Sequence, residues 1–356
     1  MKTIPTKRTF ETMNGLRGLA AFLVVVWHGG HNWYGELVPP SSYLAVDLFF
    51  VLSGFVVAYS YEQRLASGLT ASRFMITRLI RLYPLYILGT IISASTILAW
   101  SVLHQKFGPN LSTTISSLFF SATMLPTPEF LGKQSPADLY PLNVPAWSLL
   151  CEIIVNAVYA LSYRWWSARN ILILMIASAC LMLLSNGWFD PGLGWGSGGF
   201  NWATSPFGFL RVFYSFPAGV LIYRILCRSE FSAPPGWSIL IFAVLPLLFL
   251  GRSDLFCKLV LFLGFPLLVM LGSIFEPRGL LRRFCALVGG ISYAVYAIHY
   301  PLLGIALLVQ SRLGLDLESK YIGALFLIVI AVVASAADRW FDGPVRARLT
   351  NRQNRS

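Results

Sequence analysis

The sequence predicts an all-α, polytopic integral membrane protein with ten transmembrane helices and one short, partly inserted segment. Two features of the composition carry this prediction: 56% of the 356 residues are hydrophobic, and only 12% are charged. The mean hydropathy is +0.67, which is strongly positive. Because so little polar surface cannot cover a soluble globule of this length, the chain is expected to lie in a lipid bilayer.

Ten apolar segments are drawn as spans of a hydrocarbon core about 30 Å thick. In chain order they lie at 14–34, 43–61, 74–103, 145–166, 170–189, 203–226, 237–251, 255–275, 288–309 and 321–341. A further segment, "STTISSLFFSATML" at 112–125, is short and rich in serine and threonine. We predict that it is re-entrant or only partly inserted.

Loop charge supports this topology, because lysine and arginine concentrate on the cytoplasmic side of membrane proteins. With ten crossings, 20 of the 27 basic residues fall at inner loops and inner helix ends, six fall outside, and Arg211 lies within a helix. If 112–125 also crossed, "YRWWSAR" and "EPRGLLRR" would lie outside, against this bias. We therefore predict cytoplasmic termini, a single membrane domain over 1–342 and a basic cytoplasmic tail over 343–356.

The net charge of +12 is interpreted in the same way, since the basic residues lie in short clusters between apolar runs. Such clusters indicate membrane topology rather than a nucleic-acid partner. The five cysteines are widely spaced and form no CxxC pair. They predict neither disulfides nor a metal site.

Three ionisable residues are predicted at similar depths within the apolar spans, where such groups are costly and usually functional. By helix rise, His28 lies about 16 Å beyond Arg17, and His299 lies about as far into its own helix. Glu152 descends about 10 Å from the outer end of its span. These three groups can share one layer of the membrane.

Arginines near the predicted inner surface form a second group. Arg17 and His28 are eleven positions apart, which returns them to within about 20° of one helix face. Arg78 and Arg81 are three apart and project from one side of the third span. Paired guanidinium groups there can clamp a phosphate-bearing ligand, and the alternative is that they reach lipid phosphates.

The sequence does not assign a single role to two further ionisable residues, Asp47 and Arg211. Asp47 lies near the outer end of the second span, where it orients His28 or caps the helix. Arg211 lies well inside the sixth span, in "FGFLRVFYSFPAG".

At these residues the chain resembles acyltransferase family 3, membrane proteins that transfer acyl groups, commonly acetyl, to sugars of surface and secreted glycans. "NGLRGLAAFLVVVWH" resembles the first-helix motif of the family through Arg17 and His28, and "RLIRLYPLY" resembles its R-x-x-R-x-x-P element. Four further stretches resemble family motifs in the same order: "AVDLFFVLSGFVVAY", "VPAWSLLCEI", "GGISYAVYAIHYPLL" and "RWFDGP". The family more often has aspartate at Asn14 and glutamate at Asp342, two helix-end positions.

The resemblance implies an O-acyltransferase of the bacterial cytoplasmic membrane that has acyl-CoA as donor substrate, a glycan acceptor and no permanently bound cofactor. Arg78, Arg81 and Arg17 would then bind the phosphates, and His28 would be the general base. In this hypothesis Glu152 or Asp47 orients the imidazole. An oxyanion would be stabilised by one of three groups: Arg211, Tyr293 or His299. A covalent acyl-histidine would use the same residues.

Two other classes remain open from the sequence. Buried histidine and glutamate also build the proton relays of transporters, although no inverted repeat is visible. The second alternative to an acyltransferase is a scaffold that binds or flips glycans without catalysis. A homo-oligomer also remains open.

Overall fold

The computed structural model describes residues 9–104, 111–132, 137–185, 195–226, 237–314 and 320–353. These residues are helical with irregular connections and contain no strand beyond one isolated bridge between Asp138 and Asn201. The predicted all-α fold is confirmed.

The described part of the chain forms thirteen α-helices, which follow the predicted spans in order. They are α1 (Glu11–Tyr34), α2 (Ala45–Ala66), α3 (Ala71–His104), α4 (Leu111–Ala122), α5 (Trp147–Ser162), α6 (Ala168–Leu184), α7 (Ser205–Leu226), α8 (Ser238–Leu247), α9 (Asp254–Leu259), α10 (Phe265–Ile274), α11 (Gly279–Leu313), α12 (Lys320–Ala337) and α13 (Gly343–Gln353). Segment 112–125 corresponds to α4, and part of the predicted tail forms α13. Gln353 of α13 donates to the carbonyl of Arg73 at 3.2 Å, which joins this helix to the start of α3.

Seven helical stretches of the described chain are long and apolar enough to cross a membrane, against ten predicted spans. They are Gly35–Ala66, Ala71–Ser101, Val144–Trp165, Ser205–Leu226, Asp254–Ile274, Gly279–Leu313 and Tyr321–Gln353. The three predicted spans outside this set are α1, α6 and α8. Helices α6 and α8 have 17 and 10 residues, fewer than the roughly 20 of a typical span. Helix α1 has 24 residues but carries Arg17 and His28.

Close helix packing fixes the positions of α2 and α7. A Cβ added to Gly54 of α2 would lie 2.0 Å from the carbonyl oxygen of Phe216, and one added to Gly219 of α7 would lie 2.0 Å from that of Val51. Only glycine allows the two backbones to approach so closely, as is typical of helix contacts in membranes. Helices α1 and α11 meet in the same way, at Gly289 against Asn14.

Two irregularities shape the helices that carry histidine. Gly30 has φ 63° and ψ −168°, so α1 is kinked two residues after His28. Pro301 lies inside α11 and has no N–H to donate to the carbonyl of Ala297, four residues earlier. The side chain of Asn143 donates to that carbonyl at 3.1 Å. A buried amide thus replaces the missing backbone hydrogen bond.

Candidate active site

A cavity of about 340 Å³ lies among α1, α2, α3, α5 and α11. Its lining begins at Thr9 and Phe10, just before α1, and includes Tyr59 and Ser60 from the C-terminal half of α2. Under the predicted topology these residues are on the cytoplasmic side. The charged residues of the lining are Arg17, Arg78, Arg81 and Glu152.

Arg78 and Glu152 form an ion pair in this cavity. Nη2 of Arg78 lies 2.5 Å from Oε1 of Glu152, and the hydroxyl of Ser53 donates to the same oxygen at 2.9 Å. The Arg78 side chain is only 5% exposed. Its Nε is buried and has no hydrogen-bond partner among the described residues, so one strong donor faces the interior unsatisfied.

Arg17 reaches the cavity from α1 and is held by α11. Its Nε donates to the hydroxyl of Ser292 at 2.8 Å, and its Nη2 donates to the carbonyl of Gly289 at 2.9 Å. Nη2 also lies 3.3 Å from the side-chain oxygen of Asn14. These acceptors are neutral, so they orient the guanidinium group without balancing its charge.

Arg81 completes the arginine cluster, by which we mean Arg17, Arg78 and Arg81. The structure gathers these three residues from α1 and α3 around one cavity, where the only carboxylate of the described lining is Glu152. An excess of two positive charges therefore remains in the lining of this cavity. Tyr293 also lines the cavity, and its hydroxyl donates to the carbonyl of Leu82.

The two predicted histidines contact each other but do not line this cavity. Nδ1 of His28 lies 3.2 Å from Nε2 of His299, and the ring centroids are 5.0 Å apart. Nδ1 of His28 also lies 2.9 Å from the carbonyl of Val24. The predicted shared depth of His28 and His299 is thus observed, whereas Glu152 lies in the cavity with the arginine cluster.

One residue of the cavity lining, Tyr296, also contacts the histidine pair, and we call Tyr296 together with Phe49 the aromatic partition. Both residues line the cavity, and their ring centroids are 5.4 Å apart. The ring of Tyr296 also lies 5.9 Å from that of His299. Tyr296 is held by hydrogen bonds to Ser148 at 2.6 Å and to the carbonyl of Pro145 at 3.0 Å.

Asp47 and Arg211 form a separate, fully buried ion pair. Nη2 of Arg211 lies 2.6 Å from Oδ2 of Asp47, and Nε lies 3.1 Å from Oδ1. Nη1 donates to the carbonyl of Gly198 at 2.8 Å, and the guanidinium carbon lies 5.3 Å from the ring of Trp147. The pair ties α2 to α7 and to the segment before α7.

These contacts correct the roles expected for the two carboxylates and for Arg211. Glu152 binds Arg78 and Asp47 binds Arg211, whereas Nδ1 of His28 lies within hydrogen-bond distance of Nε2 of His299 and of the Val24 carbonyl. Arg211 has Nε, Nη1 and Nη2 all bonded within the protein, which leaves it unsuited to an oxyanion.

The sequence predicted no roles for the aromatic partition or for two hydroxyls, that of Ser53, which donates to Glu152, and that of Ser292, which accepts from Arg17. Tyr296 lies three residues after Tyr293 and three before His299, so helical spacing places all three on one side of α11. This spacing could have indicated Tyr296 as a site residue from the sequence alone. The part played by Phe49 depends on how α2 faces α11, which spacing along one helix does not give.

The fold and this site define a helical membrane protein with a buried cationic cavity next to a pair of histidines. Residues 10–337 match the sequence model of an acyltransferase domain, and the chain belongs to acyltransferase family 3. It is a transferase, and the resemblance of its motifs to this family is confirmed.

Several named relatives are similar to this chain. It is 36% identical over 199 residues to protein 2 in the picA locus of Rhizobium radiobacter, which covers 51% of this chain and 97% of that protein. It is 25% identical to exopolysaccharide production protein ExoZ of Rhizobium meliloti, over 85% of this chain and 89% of that protein. It is 24% identical to peptidoglycan O-acetyltransferase OatA of Listeria monocytogenes, over 96% of this chain and 56% of that protein. No solved structure matches the chain.

Proposed function

We propose that this protein is an integral membrane O-acyltransferase that moves an acyl group, acetyl in the simplest case, from cytoplasmic acyl-CoA to a hydroxyl of a cell-surface or exported glycan. The family shows that it is an acyltransferase. The glycan acceptor is supported by relatives named for peptidoglycan O-acetylation and exopolysaccharide production. The proposal includes ten spans, cytoplasmic termini and the bacterial inner membrane.

The excess positive charge of the cavity carries the proposal. Three guanidinium groups face one carboxylate there, and burying unbalanced charge is costly unless a ligand compensates it. The phosphate groups of a CoA thioester supply that negative charge and suit the planar, multiple donors of arginine. The unpartnered Nε of Arg78 gives such a ligand a specific place to bind.

The shape of the site suggests how the donor lies. With its phosphates near the arginine cluster, the linear pantetheine arm runs from α3 toward α11 and ends at the aromatic partition. Phe49 and Tyr296 must part for the thioester to reach His28. Transfer therefore requires a local side-chain movement in addition to binding.

His28 then acts as the general base. It takes the proton of the acceptor hydroxyl while the oxygen attacks the thioester carbonyl, and the departing thiolate recovers that proton. A positioned base of this kind contributes about 10²- to 10⁴-fold to the rate. The general base, His28, is thus separate from the arginine cluster that binds acyl-CoA, and it does not line the same cavity.

Purified protein supplied with labelled acetyl-CoA and an oligosaccharide acceptor tests the proposal. We expect label to move to the acceptor, and we expect His28→Ala to lower turnover about 10²-fold or more while acetyl-CoA still binds. Wild-type turnover in the His28→Ala variant would refute the general-base role. Failure of acetyl-CoA to bind the wild-type protein would refute the donor assignment.

The natural acceptor requires a separate measurement. Mass spectrometry of surface glycans from cells with and without the protein should show an acyl mass increment on one glycan class. Its position on the sugar then identifies the acceptor hydroxyl. Identical glycans in both cells would contradict a glycan acceptor.

A further inference from the structure

The hydrogen bonds of the histidine pair determine where its protons lie. Nδ1 of His299 is 2.8 Å from the carbonyl oxygen of Tyr296. A carbonyl only accepts, so Nδ1 of His299 carries the proton, and the neutral ring presents a lone pair at Nε2. His299 is 1% exposed, and burying it as an uncompensated cation would be costly.

The same reasoning assigns the proton of His28. Its Nδ1 faces two acceptors, the carbonyl of Val24 at 2.9 Å and the lone pair of His299 Nε2 at 3.2 Å. Nδ1 must therefore be the protonated nitrogen, with its hydrogen shared between both acceptors. The lone pair of the neutral His28 ring is then at Nε2, the nitrogen that neither acceptor occupies.

We infer that His299 is a positioning residue for the proposed transfer, accepting the Nδ1–H of His28 so that Nε2 of His28 is the basic atom. This inference rests on the proposed function. When Nε2 takes the acceptor proton, His28 becomes an imidazolium whose Nδ1–H is stabilised by His299. The acceptor oxygen bonds to the carbonyl carbon, the carbon–sulfur bond breaks, and the thiolate takes the proton from Nε2.

His299 keeps its own proton on Nδ1 throughout. Because both of its ring nitrogens are engaged, it has none left to bind an oxyanion, which was the role suggested by the sequence. A neutral partner also fits the surroundings, because the carboxylates of Asp47 and Glu152 are already paired with arginines. A further buried carboxylate would add a desolvation cost that an imidazole acceptor avoids.

Two substitutions of His299 separate positioning from packing. Glutamine is long enough to place an amide oxygen near the site of Nε2, whereas leucine fills space without accepting. With acetyl-CoA as donor, we expect His299→Leu to lower kcat about 10- to 100-fold, part of what a positioned base contributes. The KM for acetyl-CoA should stay within about twofold, since the arginine cluster is untouched, and His299→Gln should recover much of the lost kcat. Equal kcat for the two variants would overturn the inference.

A spectroscopic measurement on the unmodified protein needs no variant of His299. The chain contains four histidines, so nitrogen-15 labelling of histidine gives few signals, and His28→Ala identifies those of His28. We expect a protonated Nδ1 and an unprotonated Nε2 for His28. The opposite tautomer would overturn the inference. Retained turnover in His28→Ala would instead refute the general-base role on which the inference rests, so the two failures are distinguishable.

Discussion

Arg81 and its neighbour Arg78 differ in their ion pairing. Arg78 is bound to Glu152 at 2.5 Å, whereas Arg81 lines the cavity with no ion pair among the described residues. Removing Arg78 would leave the Glu152 carboxylate, which is only 16% exposed, without its counter-charge, and this mixes a folding defect with a binding defect. Arg81 is therefore the cleaner probe of donor binding.

We predict that Arg81→Gln raises the KM for acetyl-CoA about 10- to 100-fold, because it removes one charge-assisted contact with phosphate worth roughly 1.5–3 kcal/mol. Its kcat should change much less. Arg73→Gln is the matched control, since Arg73 lies on the same helix and is exposed. Steady-state kinetics on both variants decide the matter, and an unchanged KM in Arg81→Gln would contradict phosphate binding at this position.

We expect the Asp47–Arg211 ion pair to contribute to the stability of the fold rather than to catalysis. Asp47→Asn leaves the Arg211 guanidinium buried without a counter-charge, which costs about 3–5 kcal/mol in comparable cases. We predict a loss of that size in the free energy of unfolding in detergent. Residual folded protein should keep its kcat. A variant with wild-type stability and a lost kcat would instead place Asp47 in the reaction.

At the scale of helices, the aromatic partition joins α2 to α11, and its Tyr296 contacts both the cavity and His299. Phe49→Ala removes one of its two rings and leaves Tyr296 held by Ser148 and Pro145. We predict a several-fold rise in acetyl-CoA hydrolysis without acceptor, because water then reaches the thioester beside His28. Release of free CoA measures this rate. A hydrolysis rate equal to that of wild type would show that the ring does not exclude water.

Spacing along single helices predicted part of this arrangement. The interval between Arg78 and Arg81 correctly placed both on one face, and helix rise correctly put His28 and His299 at one depth. Spacing also placed Arg17 and His28 on one face, yet only Arg17 lines the cavity. The contact between Phe49 and Tyr296 depends on how α2 packs against α11, which spacing along one helix does not give.

The pairing of ionisable groups across helices was the part that the sequence left open. Asp47 with Arg211, Glu152 with Arg78 and His28 with His299 each join residues at least 74 positions apart. Which partner is chosen depends on how each helix is rotated about its axis. Close glycine contacts such as that of Gly54 with Phe216 set this rotation, and they follow from backbone geometry rather than from hydrophobic periodicity.

For the whole molecule, the proposed topology makes opposite predictions for the two ends of α5. Phe130, before this helix, is 84% exposed, and Trp165, after it, is 77% exposed. In a cysteine-free background, Phe130→Cys should react with an impermeant thiol reagent from outside the cell. Trp165→Cys should react only after the membrane is opened. Labelling of both from the same side would contradict the crossing by α5, and the reverse pattern would invert the topology.

The closed aromatic partition has a consequence for the cell that houses the protein. A path lined by arginines from one aqueous phase to a histidine open to the other would dissipate ion gradients whenever the enzyme was idle. Phe49 and Tyr296 are in contact, and no histidine of the described part of the chain lines the cavity. An idle copy should therefore conduct no current across a planar bilayer, and the cell can carry many copies without draining its proton-motive force.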